Sequence, residues 1–264
     1  MEINNVVFSY DRRCPFIDGL NAVIEKGRVT VIIGPNGCGK STLLSLLTRL
    51  RRPSGGSIVL DGREINSVRG RDYAKKVAGV YQINDGNAEI TAEEFVAFGR
   101  TPYKGRFSPL SDGDRAIIER ALRETGLADM RDKKLCDMSG GERQRVYIAT
   151  ALCQQPEVLF LDEPTSYLDM YYQLEVLNIV SRINRDGITV VMVLHDVNQA
   201  LRCADNVIVM KDGDVVAAGD AKTTITPELL ADVYRVRVDT LTGADGLPFI
   251  VRHNIAVIHH HKIS

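Results

Sequence analysis

Several features are scarce in this 264-residue chain, and each scarcity closes off a class of function. Charge of one sign is not in excess: 33 Lys and Arg stand against 34 Asp and Glu, interspersed, for a formal net charge of -1. A nucleic-acid binder needs a basic stripe to neutralise phosphates, so nucleic acid is not an expected partner. Cysteine is sparse and odd in number: Cys14, Cys38, Cys136, Cys153 and Cys203 are scattered, with no C-x-x-C spacing. Reduced thiols in a cytosolic compartment are the simplest reading. No uninterrupted apolar run is long enough to cross a bilayer, so a membrane role needs a span from another chain. The start carries Glu2, Asn4 and Asn5 in place of a basic stretch and an apolar run, and no secretory leader is expected. Internal repeats and low-complexity tracts are absent as well. What remains is an ordinary globular composition with length enough for a full core, as one large domain or one domain with a sizeable insertion.

The most informative stretch is Gly34-Pro35-Asn36-Gly37-Cys38-Gly39-Lys40-Ser41-Thr42, which fits G-x-x-x-x-G-K-[ST] at every fixed position. Val29 to Ile33 reads as a buried strand before it, and Leu43 to Leu47 as a helix after it. A strand, a glycine turn and a helix are the context such a loop requires. The glycines let backbone N–H groups turn toward an anion, and the helix start adds the positive end of its dipole. Lys40 supplies a full charge to the β- and γ-phosphates, and the Ser41 hydroxyl can ligate Mg²⁺. This stretch binds a nucleoside triphosphate.

A second apolar run, Val158 to Leu161, ends in Asp162-Glu163-Pro164. Such a run reads as a parallel strand buried on both faces, and ligand chemistry in open α/β sheets sits at the carboxyl ends of strands. Asp162 is placed there to hold Mg²⁺, usually through water, and Glu163 to polarise an attacking water as general base; the plain alternative is a solvated acid pair. Ile188 to Leu194 is a further strand ending at His195-Asp196. A lone His is most often structural, or here it contacts a γ-phosphate. Ser139-Gly140-Gly141 opens a helix running through Leu152. It is either a common serine cap or a second anion-seeking helix end in a chain with one phosphate loop. Gln82 leaves the strand Val77 to Tyr81 as a loop residue or as one that orders Mg²⁺ or water. Tyr10 closes the strand Ile3 to Tyr10 as a packing tyrosine or as a ring that stacks on adenine.

The remaining pattern fills in the frame. Gly19 to Ile24 and Ser57 to Leu60 read as strands. A capping box at Thr91 and a cap at Ser111 start helices in a helical insert. Val207 to Met210 and Val215 to Ala218 read as a hairpin. From Thr226 the tail gives a short helix and strands near Val236 to Val238 and Phe249 to Val251. His259-His260-His261 alternate faces on a strand and cannot converge on one metal ion there.

Taken in order, these motifs resemble the ATP-binding subunit of an ABC transporter over nearly the whole chain. Gly34 to Thr42 matches the family's Walker A motif, and Val158 to Glu163 its Walker B motif with the catalytic Glu. Ser139-Gly140-Gly141 matches the LSGGQ signature, with Met138 for Leu and Glu142 for Gln. Tyr10, Gln82, Ser166 to Asp169 and His195 match the A-loop, Q-loop, D-loop and switch histidine. The resemblance implies an α/β fold, a RecA-like P-loop NTPase core with an antiparallel β subdomain and a helical insert subdomain. It implies one domain over 1–264: the core in 1–83 and 154–225, the helical signature subdomain in 84–153, and a C-terminal extension in 226–264. The substrate and ion would be ATP and Mg²⁺. Tyr10, Gly34, Pro35, Asn36, Gly37, Cys38, Gly39, Lys40, Ser41, Thr42, Ser139, Gly140, Gly141, Asp162 and Asp169 would bind nucleotide. Glu163, His195 and Gln82 would serve catalysis, and Ser41, Gln82 and Asp162 would hold Mg²⁺.

Partners follow from the same resemblance. A second copy would pack head to tail with ATP between, and integral membrane permease subunits would receive the motion. An extracytoplasmic substrate-binding protein would join indirectly, with this chain peripheral on the cytoplasmic face of the cell membrane. Arg100 and its neighbours would lie against the permease. Phe98 to Tyr103, the helix from Ser111 to Gly126 and the tail Thr226 to Tyr234 resemble importers of iron-siderophores, with haem or cobalamin as alternatives. A different ABC importer or exporter, a soluble ABC ATPase and a switch without turnover are the rival readings. The single cassette without basic extensions stands against the soluble ATPase, and Glu163 together with His195 stands against the switch. Replacing Lys40 tests the phosphate loop directly: Lys40→Ala weakens ATP binding by about 1.5–3 kcal/mol, roughly ten- to a hundredfold. Calorimetry showing unchanged binding would remove the loop from that role.

Overall fold

The computed structural model describes residues 1–11, 14–81, 89–105, 108–243, 246 and 248–252. Strands β1 (Glu2–Phe8) and β2 (Ile17–Val23) mix buried and exposed positions, as strands with one wet face do. β3 (Val29–Ile33) is buried at every position. It leads into α1 (Lys40–Leu47), followed by β4 (Gly55–Leu60), β5 (Arg63–Glu64), α2 (Gly70–Ala74) and β6 (Val77–Val80). Three helices come next: α3 (Ala92–Ala97), α4 (Asp112–Glu124) and α5 (Gly140–Cys153). Each begins in a reciprocal capping box, Thr91 with Glu94, Ser111 with Asp114 and Ser139 with Glu142. Side chains three residues apart therefore set all three starts. Then come β7 (Val158–Asp162), α6 (Met170–Arg185), β8 (Thr189–Val193), α7 (Val197–Cys203) and the hairpin β9 (Asn206–Lys211) with β10 (Asp214–Asp220). The tail holds α8 (Ala221–Thr224), α9 (Pro227–Tyr234) and the hairpin β11 (Val238–Thr242) with β12 (Pro248–Arg252).

The main sheet has the order β10-β9-β3-β8-β7-β6, parallel except for β10 against β9. A second, four-stranded antiparallel sheet has the order β2-β1-β4-β5 and packs against the first. The period of two along each parallel strand divides the core. Val31, Ile33, Leu159, Leu161, Val190 and Met192 pack in one cluster with residues of the helical layer, such as Val146, Leu152, Ile179 and Leu201. Ile32, Phe160, Val191 and Val193 pack in the other, with Leu43, Leu44, Leu46 and Leu47 of α1 and the antiparallel sheet. This α/β arrangement is the expected fold class.

Some boundaries differ from expectation. β1 ends at Phe8, and Tyr10 lies beyond it, its hydroxyl 2.6 Å from Thr42 Oγ1. The β1–β2 register shifts between Val6 and Phe8, so the chain leaves the ladder before Tyr10 is reached. β11 begins at Val238, two residues later than expected, because the pair is set by Val238 facing Arg252. The tail is fastened to α7: the Ile250 N–H donates to Asn198 Oδ1 at 2.7 Å, and Asn198 Nδ2 donates to the Ile250 carbonyl at 3.1 Å. Gln82 and His259 to His261 lie outside the described residues.

Arg100 corrects one expectation. It is 5 % exposed, and its Nε pairs with Asp114 Oδ1 at 2.8 Å. Its Nη1 donates to the Cys153 carbonyl at 2.8 Å and to Gln155 Oε1 at 3.1 Å. A guanidinium committed in this way staples the helical layer together and presents no charge to a partner; Phe98 and Thr101 beside it are exposed. The Ser111 hydroxyl and the Arg100 guanidinium together hold the Asp114 carboxyl down to about 2 from 3.8. A depressed carboxylate stabilises the fold above its unfolded value and loses that contribution as pH falls. The contribution is therefore fully present above 3.8 and fades toward about 2. Asp114→Asn costs about 3 kcal/mol at neutral pH, because Arg100 is left buried without its counter-charge, and flattens the stability profile across that acid window. Acid unfolding followed by circular dichroism checks both; an unchanged slope in the variant overturns the assignment.

Candidate active site

Three strand ends meet at one edge of the main sheet. β3 runs into the phosphate loop, β7 into Asp162-Glu163, and β8 into Leu194-His195. Gly34 opens the loop at φ +154°, where a Cβ would sit 2.2 Å from the Met210 carbonyl oxygen, so no side chain fits. Gly39 caps α1 in the left-handed region at φ 107°, a conformation glycine adopts without strain. Lys40 is 5 % exposed; its Nζ donates to the Gly34 and Pro35 carbonyls at 2.8 and 2.9 Å. That leaves one of its three protons for the cavity that it lines. This cavity of about 480 Å³ is bordered by Tyr10, Phe16, Asn36, Gly37, Gly39, Lys40, Ser41, Thr42, Glu163, Tyr167 and His195.

The Glu163 carboxylate is oriented on both oxygens. His195 Nε2 lies 2.5 Å from Oε1, and the Ser166 hydroxyl donates to Oε2 at 3.1 Å. Its backbone sits at φ 51°, an uncommon conformation for a residue with a side chain, and its N–H reaches the Val193 carbonyl at 3.2 Å. Asp162 receives the Ser41 hydroxyl at 3.1 Å on Oδ1. Burial pushes the Asp162 carboxyl up, and the Ser41 hydrogen bond offsets part of that. A carboxylate fixed beside a lysine and a ring of loop amides can activate water against a bound phosphate.

Ser139, Gly140 and Gly141 do not border this cavity. Ser139 Oγ accepts the Glu142 N–H at 3.3 Å, and Glu142 Oε2 accepts both the Ser139 N–H at 2.8 Å and Lys133 Nζ at 2.7 Å. The helix start leans on the turn before α6: a Cβ on Gly140 would lie 3.7 Å from Leu168 Cδ2, and one on Gly141 only 2.4 Å from the Tyr172 ring. Asp169 does not border the cavity either. Its carboxylate accepts the Tyr172 N–H at 3.1 Å and caps α6.

The ABC transporter family profile matches residues 17–166. The chain belongs to the ABC transporter family. It is 42% identical over 227 residues to the iron(3+)-hydroxamate import ATP-binding protein FhuC of Bacillus subtilis (strain 168), covering 86% of this chain and 84% of that protein. An inward-facing metal-chelate type ABC transporter superposes with a TM-score of 0.83 at 25% identity, over 96% of this chain and 97% of the other. The ATP-binding cassette MJ0796, a dimer in a post-hydrolysis state with ADP and Pi, superposes with a TM-score of 0.71 at 29% identity, over 83% and 98%.

As an ABC cassette, the chain offers hard oxygen donors to Mg²⁺ in Ser41 Oγ and Asp162 Oδ1, 3.1 Å apart. Mg²⁺ beside a nucleotide is held by one or two carboxylates plus phosphate oxygens and water, not by an all-protein cage. Glu142, which replaces the signature's usual Gln, has a structural account as a capping acid paired with Lys133, whose ammonium also holds its carboxyl below the usual range. Sequence reading missed Phe16 and Tyr167 at the cavity, and Thr165, Gln173 and Gln199. Those three link the Glu163 loop to α6 and α7 through Thr165 Oγ1 to Gln199 at 2.9 Å and Gln199 Nε2 to Gln173 at 2.9 Å. Position within the D-loop was the one available signal for Tyr167. Gly141→Ala drives a methyl into the Tyr172 ring and costs about 1–3 kcal/mol. Adding Tyr172→Ala recovers most of it, and strictly additive losses in chemical denaturation would sink this contact.

Proposed function

We propose that two copies of this ABC subunit clamp ATP between them, hydrolyse it, and drive uptake of an iron–siderophore-type chelate through a membrane permease. One observation carries the clamp: the two phosphate-seeking ends of one chain serve different places, since the Ser139 helix start lies outside the cavity that Lys40 lines. A two-fold arrangement brings the partner's copy of that helix start over this cavity and completes both sites together. Each ATP then adds contacts that only the closed pair has, so binding favours closure and hydrolysis releases it. The dimeric MJ0796 cassette and the hydroxamate-import relative support pair and cargo respectively.

In the closed pair the loop amides and Lys40 hold the phosphates, and Ser139, Gly140 and Gly141 contact the γ-phosphate from across the interface. Glu163 takes a proton from water as the water oxygen attacks the γ-phosphorus. The bond from γ-phosphorus to the bridging oxygen breaks, and ADP keeps the electron pair. His195 and Ser166 keep the Glu163 oxygens aimed, and His195 meets the γ-phosphate. Mg²⁺ on Ser41, Asp162 and Gln82 would offset phosphate charge. Tyr10 stacks on the base. Asp169 acts through the α6 cap, holding the loop that carries Tyr167.

The permease meets the helical layer near exposed Phe98, with the chain on the cytoplasmic face and an extracytoplasmic receptor delivering the chelate. Glu163→Gln tests the chemistry. ATP binding persists, turnover falls by about 10²–10⁴-fold, and light scattering finds an ATP-trapped dimer. Wild-type turnover would remove Glu163 as base, and an ATP-loaded monomer would remove the clamp. In the assembled transporter the same variant stops uptake of radiolabelled ferric hydroxamate; a wild-type transporter that carries haem or cobalamin instead reassigns the cargo.

A further inference from the structure

Tyr10 stands where the antiparallel sheet reaches over the start of α1, and its ring is held from several directions. The hydroxyl lies 2.6 Å from Thr42 Oγ1. Phe8 and Phe16 meet it edge-on, with centroids at 5.0 and 5.3 Å and interplanar angles of 83° and 67°. The Arg51 guanidinium sits over the ring, 4.7 Å from the centroid, and 5.7 Å from that of Phe8. Arg51 lies just beyond α1, and its backbone N–H donates to the Ser45 carbonyl at 3.0 Å, which ties its backbone to the helix that Lys40 begins. Among the described residues Arg51 makes no ion pair. Its charge is spent on aromatic faces. Tyr10 and Phe16 border the nucleotide cavity and Arg51 does not. The guanidinium therefore meets the Tyr10 ring from outside the cavity lining, and Tyr10 itself is 58 % exposed.

We propose that Arg51 is a positioning residue for the nucleotide base: it braces Tyr10 from outside the cavity lining and makes the ring a preformed platform for the flat face of a purine. An unbraced tyrosine on a loop must lose rotamer freedom each time a base stacks on it; a braced one has lost it on folding, so less affinity is forfeited on binding. The cation also draws π electrons toward its own side of the ring, which reduces repulsion between the other face and a stacked purine. Arg51 thus tunes affinity for the base and leaves the triphosphate grip of the loop unchanged. The inference rests on the reading of Tyr10 as the base platform.

Two probes on the full chain separate these parts: ATP, and inorganic tripolyphosphate, which has the phosphates and no base. Arg51→Met keeps an apolar stem and removes the cation. It weakens ATP binding by calorimetry roughly threefold to tenfold, raises KM by a similar factor with little change in kcat, and leaves tripolyphosphate affinity where it was. Arg51→Lys recovers part of the loss. Tyr10→Ala weakens ATP at least as much and also spares tripolyphosphate. If Tyr10→Ala weakens ATP while Arg51→Met does not, the brace is wrong and the platform stands. Undiminished ATP affinity in Tyr10→Ala removes the platform and the brace with it. An equal loss of ATP and tripolyphosphate in Arg51→Met assigns Arg51 to the fold and overturns the proposal.

Discussion

Strand β8 hydrogen-bonds to β3 on one side and β7 on the other, and the candidate site depends on that pairing. Val193 is level with Ile32 of β3 and with Asp162 of β7. The phosphate loop, Glu163 and His195 consequently leave the sheet at one height. Two bonds continue the registration past the strand ends: Glu163 N–H to the Val193 carbonyl and Leu194 N–H to the Ile32 carbonyl, both 3.2 Å. A slip of one residue in either pair would exchange the side chains that face the two covering layers, and layers packed around the present set would not accept the swap. The register that packs Phe160 and Leu161 on opposite faces therefore also aims the chemistry.

Placing two carboxylates beside a phosphate site raises an electrostatic problem, which local partners address. Asp162 is partly buried, which raises its carboxyl above the ordinary value, and the Ser41 hydroxyl gives back part of its lost solvation. Glu163 has neither oxygen free of a neighbour, with His195 on one and Ser166 on the other. Lys40 is anchored by two carbonyls of its own loop, so its charge is fixed in place before any ligand arrives. Groups that need no reorganisation when charge develops stabilise it more than mobile ones do.

The turn from Glu163 to Asp169 is shared between the cavity and the signature helix. Tyr167, at φ 61°, borders the cavity; Leu168 touches the start of α5; Asp169 caps α6, whose Tyr172 lies against Gly141. Gln173 and Gln199 fasten the same turn to α6 and α7. One short segment thus joins the place where a chain holds its own nucleotide to the helix start that, in the proposed pair, its partner's nucleotide meets. The tail adds a further attachment, with Asn198 clasping Ile250 just past His195.

By itself the sequence determined whatever depends on near neighbours. The glycine pattern of residues 34–39, the capping boxes at Thr91, Ser111 and Ser139, and the apolar runs of β3, β7 and β8 are encoded within a few residues, because helix caps and strand burial are local physics. Tertiary structure alone decided which strand ends sit side by side, that His195 converges on Glu163, that Tyr167 and Phe16 border one cavity with Lys40, and that Arg100 is buried against Asp114. Those outcomes rest on strand order and on contacts between residues distant in the chain, and no window of neighbouring residues contains the energy that selects them.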